Sequence, residues 1–211
     1  MYMQLTGKDI CFRYKTKSPW ILKDVSLSIE SGERVGVVGP SGYGKSTLAR
    51  ILSGYEKPVS GEVKLDGKDL PGKGYCPVQL IYQHPELSVN PRLKMGDILH
   101  EAWTPDKELL DRMGIEKKWF TRWPTELSGG ELQRFCIARV LAPQTRFLIC
   151  DEITTMLDAI TQAQIWHLLL EECEKRNLGM MIITHNKSLA ERVCTRVIEL
   201  PELNNVERAD V

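Results

Sequence analysis

The chain has 211 residues, enough for one domain with a sizeable core or for one domain carrying an inserted subdomain. Its 28 basic residues balance 28 acidic ones, which argues against a general polyanion binder. The six cysteines (Cys11, Cys76, Cys136, Cys150, Cys173 and Cys194) form no C-x-x-C pair and sit mostly among apolar neighbours, so they read as small buried thiols of a reducing compartment rather than disulfides or metal ligands.

Met1 to Asp9 has no basic stretch leading into an apolar one, and no apolar run is long enough to cross a bilayer. A soluble, cytoplasmic protein is expected, working at a membrane only through a partner. Ile10 to Tyr14 and Val25 to Ile29 carry strand patterns, separated by the turn-like Lys17-Ser18-Pro19. Ser31-Gly32-Glu33 turns into Arg34 to Val38, a short apolar strand of the kind buried in a parallel sheet. A glycine-rich loop follows, then a helix from Lys45 to Ser53 stopped by Gly54. Val63 to Leu65 with Asp66-Gly67 suggests a small hairpin, and Gln79 to Tyr82 a strand ending at Gln83-His84-Pro85.

From there to Pro124 the β pattern gives way to prolines, tryptophans and short helical stretches: Met95 to Trp103, Lys107 to Met113 and Lys117 to Trp123. This reads as a helical insertion. Ser128 then offers an N-cap for a helix with Leu132, Phe135, Cys136 and Val140 on one face. Phe147 to Cys150 is a buried strand closed by Asp151-Glu152, and Thr161 to Arg176 a helix burying Ile165, Leu168, Leu169 and Cys173. Met180 to Ile183 is another buried strand ending at Thr184-His185, followed by a short helix (Ser188 to Val193) and a last strand (Val197 to Leu200). Strands alternating with helices indicate an open, mainly parallel α/β sheet.

Two segments carry the chemistry. Gly39-Pro40-Ser41-Gly42-Tyr43-Gly44-Lys45-Ser46-Thr47 lies between a strand and a helix, the setting of a P-loop. Its glycines let backbone N–H groups turn toward phosphates at a helix N-terminus. Lys45 would reach the β- and γ-phosphates, and Ser46 would give its hydroxyl to Mg²⁺. Leu127-Ser128-Gly129-Gly130-Glu131 also opens a helix but has no lysine of its own. It needs a nucleotide held elsewhere, which implies a dimer.

At the end of a central strand, Asp151 would hold Mg²⁺ through water, and Glu152 would orient or deprotonate the attacking water. The P-loop strand is expected beside theirs in the sheet. Gln83 and His185 also end strands, at the carboxyl edge where open α/β sheets bind ligands. There a histidine can donate to a γ-phosphate and a glutamine can coordinate Mg²⁺ or water.

In order, Tyr14, the P-loop, Gln83, Leu-Ser-Gly-Gly-Glu at 127–131, Phe-Leu-Ile-Cys-Asp-Glu at 147–152, Met-Leu-Asp at 156–158 and His185 resemble the nucleotide-binding subunit of an ABC transporter over essentially the whole chain. They correspond to its A-loop, Walker A, Q-loop, signature, Walker B, D-loop and H-loop. The resemblance implies a P-loop NTPase fold of the ABC ATPase type, with an antiparallel N-terminal β subdomain. Residues 1–83 and 125–211 would form the catalytic core and 84–124 the helical subdomain of one 1–211 ATPase domain. It further implies ATP and Mg²⁺ as ligands, Tyr14 stacked on adenine, Ser128 and Gly130 on the γ-phosphate of ATP held by the partner subunit, and Asp158 shaping the contact between two composite sites.

Gln83 to Arg92, the run after Glu131 and Thr154 to Gln162 are similar to the peptide and nickel importer branch. That implies a second ATPase subunit (a different chain or a second copy), membrane-spanning permeases, a solute-binding protein outside, and a place on the cytoplasmic face of the membrane. Departures from the family pattern are Glu131 in place of glutamine, Ile153 and Met156 in the D-loop, and an end at Val211 with no long extension and no expected iron–sulfur site.

Trp103, Trp119 and Trp123 read either as subdomain core or, with Leu87, Val89 and Pro91, as an apolar groove for a short helix of a membrane subunit. His84, His100 and His167 have no ligand spacing and read as structural or solvated. The alternative class, an ABC-type ATPase acting on nucleic acid or ribosomes, typically carries coiled-coil or zinc insertions. The short segment between Gln83 and Ser128, the absence of a heptad run and the neutral charge speak against it and against nucleic acid as a partner.

Overall fold

A computed structural model describes residues 2–155 and 157–206, so Met156 of the D-loop and Val211 lie outside the described residues. The chain opens with two long strands, β1 (Gln4–Phe12) and β2 (Leu22–Glu30), then β3 (Arg34–Val38) and α1 (Lys45–Leu52). The hairpin β4 (Ser60–Leu65) and β5 (Lys68–Asp69) follows, turning through Asp66 and Gly67, which both have positive φ. Strands β2-β1-β4-β5 make an antiparallel sheet. Because β1 ends at Phe12, Tyr14 lies beyond the strand that the sequence extends over it.

After β6 (Val78–Ile81) the elements from Pro85 to Glu126 are all helical: α2 (Met95–His100), α3 (Lys107–Arg112) and single 3₁₀ turns at Pro85–Leu87, Lys117–Trp119 and Pro124–Glu126. Then come α4 (Gly129–Val140), β7 (Phe147–Asp151), α5 (Ala159–Arg176), β8 (Gly179–Ile183), α6 (Lys187–Val193), β9 (Arg196–Glu199) and α7 (Leu200–Leu203). The turn α7 was not expected. Pro201 at its first positions continues the chain into a helical turn where a further strand residue was read at Leu200.

Five parallel strands run in the order β6-β7-β8-β3-β9. Here the structure corrects the sequence reading: β8, not β3, is the neighbour of β7 on the P-loop side. Every residue of β8 is buried, and a strand buried on both faces takes a central place with both edges hydrogen-bonded. The pleat sorts side chains between two cores. Leu148, Cys150, Met180 and Ile182 pack with Phe135, Ile165 and Leu169 from α4 and α5. Phe147, Ile149, Met181 and Ile183 face the other way, onto Val35, Val37, Leu48, Leu52 and the antiparallel sheet.

The tryptophans divide between the two readings. Trp119 is buried, ring against ring with Phe135, and Trp103 is partly buried with its indole N–H on Arg139 O at 2.9 Å. Trp123 and Leu87 are exposed, the latter at 72 %. The six thiols are unpaired, and burial pushes those of Cys136 and Cys173 up to about 11 and about 12. His84 and His167 sit beside Glu86 and Glu171, and His100 lies against the Phe120 ring.

Candidate functional site

Because the five strands are parallel, the loops after β3, β6, β7 and β8 emerge on one edge of the sheet. Gly44, immediately before α1, has φ 92°, and a Cβ there would stand 2.8 Å from Leu22 Cδ2. Both conformation and space demand glycine, and the result is a loop folded over the N-terminus of α1. Ser41, Gly42, Gly44, Lys45, Ser46 and Thr47 line a cleft of about 420 Å³, whose other walls are Tyr14, Ile21, Gln83 and Glu152. Lys45 is buried, and its ammonium donates to Gly39 O at 2.8 Å and Pro40 O at 2.9 Å. Those are neutral acceptors, which the charged oxygens of a phosphate would replace with stronger bonds.

Tyr14 is 56 % exposed, with its ring edge-on to Phe12 at 5.0 Å and its hydroxyl 3.3 Å from Thr47 Oγ1. The ring therefore lines the cleft, and its hydroxyl meets the helix that follows the loop.

Glu152 follows the last residue of β7 and adopts a left-handed φ of 49°, a conformation that costs an ordinary residue about 1 kcal/mol or more. Its N–H donates to Ile183 O at 3.1 Å, which fixes the turn. The turn swings the side chain toward both neighbouring loops: Glu152 Oε2 accepts from Gln83 Nε2 at 3.3 Å and lies 3.4 Å from His185 Nδ1. Three residues read separately from the sequence thus meet at one oxygen atom. Asp151, one residue earlier, is 6 % exposed, and its Oδ1 has no hydrogen-bond partner among the described residues. Burial pushes its carboxyl above the ordinary aspartate value and Glu152 adds to the rise, while the Ser46 hydroxyl, Arg50 and Lys45 oppose it.

The second glycine-rich segment is built differently. Ser128 caps α4 in a reciprocal box: its Oγ accepts from Glu131 N at 3.2 Å, and its own N–H donates to Glu131 Oε2 at 2.7 Å. That is what the unexpected glutamate at 131 does. Ser128 and Gly129 are exposed, and a Cβ on Gly130 would come within 3.2 Å of Leu157 Cδ2, so this helix end adjoins the loop before α5. Asp158 caps α5 through Ile160 N, Thr161 N and Thr161 Oγ1, and the Thr161 N–H holds its carboxyl below the usual range. Among the described residues, the lining of the 420 Å³ cleft includes neither Ser128, Gly129 and Gly130 nor Asp158. The structure does not bring the two segments together within one chain.

Some contributors went unread in the sequence. Ile21 forms the apolar wall beside Tyr14, and nothing in its neighbourhood signals that. Gln162 donates to Thr154 O and Leu157 O, and Trp166 to Thr154 Oγ1, so α5 pins the loop that carries Asp158. Gln133, on the buried face of α4, donates to Tyr82 O at 3.3 Å, while its Oε1 is buried without a partner. Leaving such an acceptor unmade costs on the order of 1–3 kcal/mol. A polar residue three and seven positions from Cys136 and Val140 was the available signal. A larger cleft of about 580 Å³, between the end of α1 and the β4–β5 hairpin, is walled by residues such as Tyr55, Val63, Leu70 and Cys76 and includes neither the glycine loop nor Asp151 and Glu152.

Known proteins resemble the chain over most of its length. The family profile described as ABC transporter matches residues 22–155. The nickel import ATP-binding protein NikE of Rhodospirillum rubrum is 37 % identical over 98 % of this chain and 84 % of its own length. A probable peptide ABC transporter ATP-binding protein of Sinorhizobium fredii is 35 % identical over 87 % of this chain and 58 % of its own. Among solved structures, a dimeric ATP-binding cassette in a post-hydrolysis state, bound to ADP and Pi, superposes with a TM-score of 0.79 and 27 % identity, covering 98 % of this chain and 97 % of that one. With the profile spanning more than half of its length, the chain belongs to the ABC transporter family.

Proposed function

We propose that this chain is the ATP-hydrolysing motor subunit of an ABC importer, and that the convergence of Gln83 and His185 on Glu152 at the mouth of the glycine-loop cleft marks its catalytic centre. In this reading one ATPase domain carries residues 84–124 as its helical insertion. Backbone N–H groups from Gly39 to Thr47 cradle the triphosphate, Lys45 exchanges its two carbonyls for β- and γ-phosphate oxygens, and Tyr14 stacks on adenine. Glu152 orients the attacking water and takes its proton, and His185 donates to the γ-phosphate.

The donor set fits Mg²⁺. Asp151 presents a buried carboxylate oxygen with no partner, beside the Ser46 hydroxyl, and Gln83 adds an amide oxygen nearby; all are hard oxygen ligands. When bound, Mg²⁺ would neutralise part of the charge on the phosphate oxygens. Ser128, Gly129 and Gly130 have no nucleotide of their own to contact, and they complete the site of a second ATPase subunit, with Asp158 shaping the contact between them.

The relatives carry nickel and peptide import in their names. On that support the subunit drives uptake of a small solute, a peptide or a nickel chelate, through partner permeases supplied by a solute-binding protein. No helix among the described residues is long and apolar enough to cross a membrane. As the ATP-binding subunit of an importer, the role its relatives are named for, the chain would act from the cytoplasmic face, with exposed Leu87 and Trp123 available to a permease segment.

The test is Lys45→Ala, compared with wild type by calorimetry with Mg-ATP. Loss of nucleotide affinity is expected, and normal binding in the variant would overturn the assignment of the cleft.

A further inference from the structure

We infer that Gln133 is a positioning residue that ties the helix begun by the second glycine-rich segment to the strand end carrying Gln83, so that contact of that helix with phosphate resets Gln83 and, through it, Glu152. The inference rests on the ATPase reading above and adds the internal linkage.

Three side chains of α4 hold the segment after β6. Gln133 donates to Tyr82 O at 3.3 Å, Cys136 lies 3.8 Å from Pro85 O and 3.2 Å from Ser88 Oγ, and Arg139 donates to Ser88 O at 2.9 Å. Gln133 holds the end nearest the chemistry. Tyr82 immediately precedes Gln83, whose amide donates to Glu152 Oε2. A continuous path therefore runs from the exposed cap at Ser128, along about a turn of α4, across one amide, to the carboxylate at the cleft.

The amide itself is the informative feature. Gln133 is 2 % exposed, and its acceptor oxygen is buried with no partner. In a resting state judged on stability alone, a leucine or methionine of similar volume would serve this position better, since a half-satisfied buried amide is worse than none. The donor to Tyr82 O accounts for half of the group. The idle acceptor marks a joint whose second hydrogen bond belongs to another arrangement of α4 against the Tyr82–Gln83 backbone.

The test is a double-mutant cycle on the full chain with Gln133→Leu and Gln83→Ala, alone and together. Gln133→Leu is expected to melt no lower than wild type, to keep the KM for ATP within about twofold, and to lower kcat by roughly 10- to 100-fold, the scale of a misplaced catalytic constellation. In the Gln83→Ala background the same substitution should change kcat by less than about twofold, because its effect passes through Gln83. Hydrogen exchange without nucleotide should speed up at residues 82–84 in Gln133→Leu and stay unchanged in α1. Gln133→Met, with an unbranched side chain, should repeat these results if packing is not the cause.

An unchanged kcat, effects that multiply across the cycle, or exchange at 82–84 equal to wild type would each overturn the inference. A wild-type chain that fails to bind ATP would instead overturn the reading of the site, and the exchange comparison would still decide whether Gln133 holds Gln83.

Discussion

Asp151 is a residue whose surroundings work against its own charge. It closes β7, buried under Ser46, with one carboxylate oxygen unpartnered. Burial raises its folded pKa above the ordinary 3.8, so between those two values the native state holds more proton than the unfolded chain. Stability attributable to this group thus falls as pH climbs from the ordinary value through the raised one, and the full cost is present above it. Asp151→Asn should accordingly melt higher than wild type at neutral pH without nucleotide or metal. The gap should close as pH drops toward the ordinary value, as thermal melts across a pH series would reveal, while Mg-dependent turnover is lost. An Asn variant that melts lower at neutral pH would mean that the Ser46 hydroxyl, Arg50 and Lys45 outweigh the cost of burying the charge.

At the scale of elements, the unusual member is the N-terminus of α4. A helix start with exposed Ser128 and Gly129 attracts anions, yet Glu131 places a carboxylate in its first turn, bonded at 2.7 Å to the Ser128 N–H. The same bond that secures the cap occupies a donor suited to phosphate and sets a negative charge beside it. Glu131→Gln retains an acceptor for the cap and removes the charge. Its helix should lose at most about 0.3–1 kcal/mol, the usual worth of an acidic group in the first turn. The ATP concentration needed for self-association, followed by light scattering, should fall several-fold. No change in that concentration would show that the carboxylate is already neutralised or swung away when two subunits meet.

The local pattern was readable because chemistry and period agreed. Arg34 to Val38 came out as the strand observed, and Ser128 as the cap, since both depend on nearest neighbours alone. What could not be read depends on the rest of the chain. The position of β8 between β7 and β3 follows from which strand buries both faces, and the left-handed turn at Glu152 from a bond to Ile183 on the next strand. Gln83, Glu152 and His185 were each identifiable, but their meeting at one oxygen is a property of the assembled sheet edge. The tryptophans divided because burial at Trp119 is set by Phe135, more than a dozen residues away on α4.

For the whole molecule, the decisive property is that the two glycine-rich segments do not share a cleft. In the proposed reading a single chain binds nucleotide with one and leaves the other facing solvent, so function would fall to a pair. In a Glu152→Gln background, where hydrolysis should slow by roughly 10²–10⁴-fold, Mg-ATP should drive a sedimenting dimer. Adding Ser128→Ala should disperse that dimer while calorimetry still registers one bound nucleotide per chain. A dimer that survives the second substitution would place the contact elsewhere on the surface.

The shared oxygen of Glu152 also bears on what an unassembled copy does in the cell. In the single chain Gln83 and His185 already engage the oxygen that, in the proposed reading, would orient the attacking water. Orphan subunits, made in excess or shed from a complex, would sit loaded but idle. In the proposed reading ATP would be consumed only where a second subunit is present, and the safeguard would need no separate inhibitor because it is built from Gln83, His185 and Glu152 themselves.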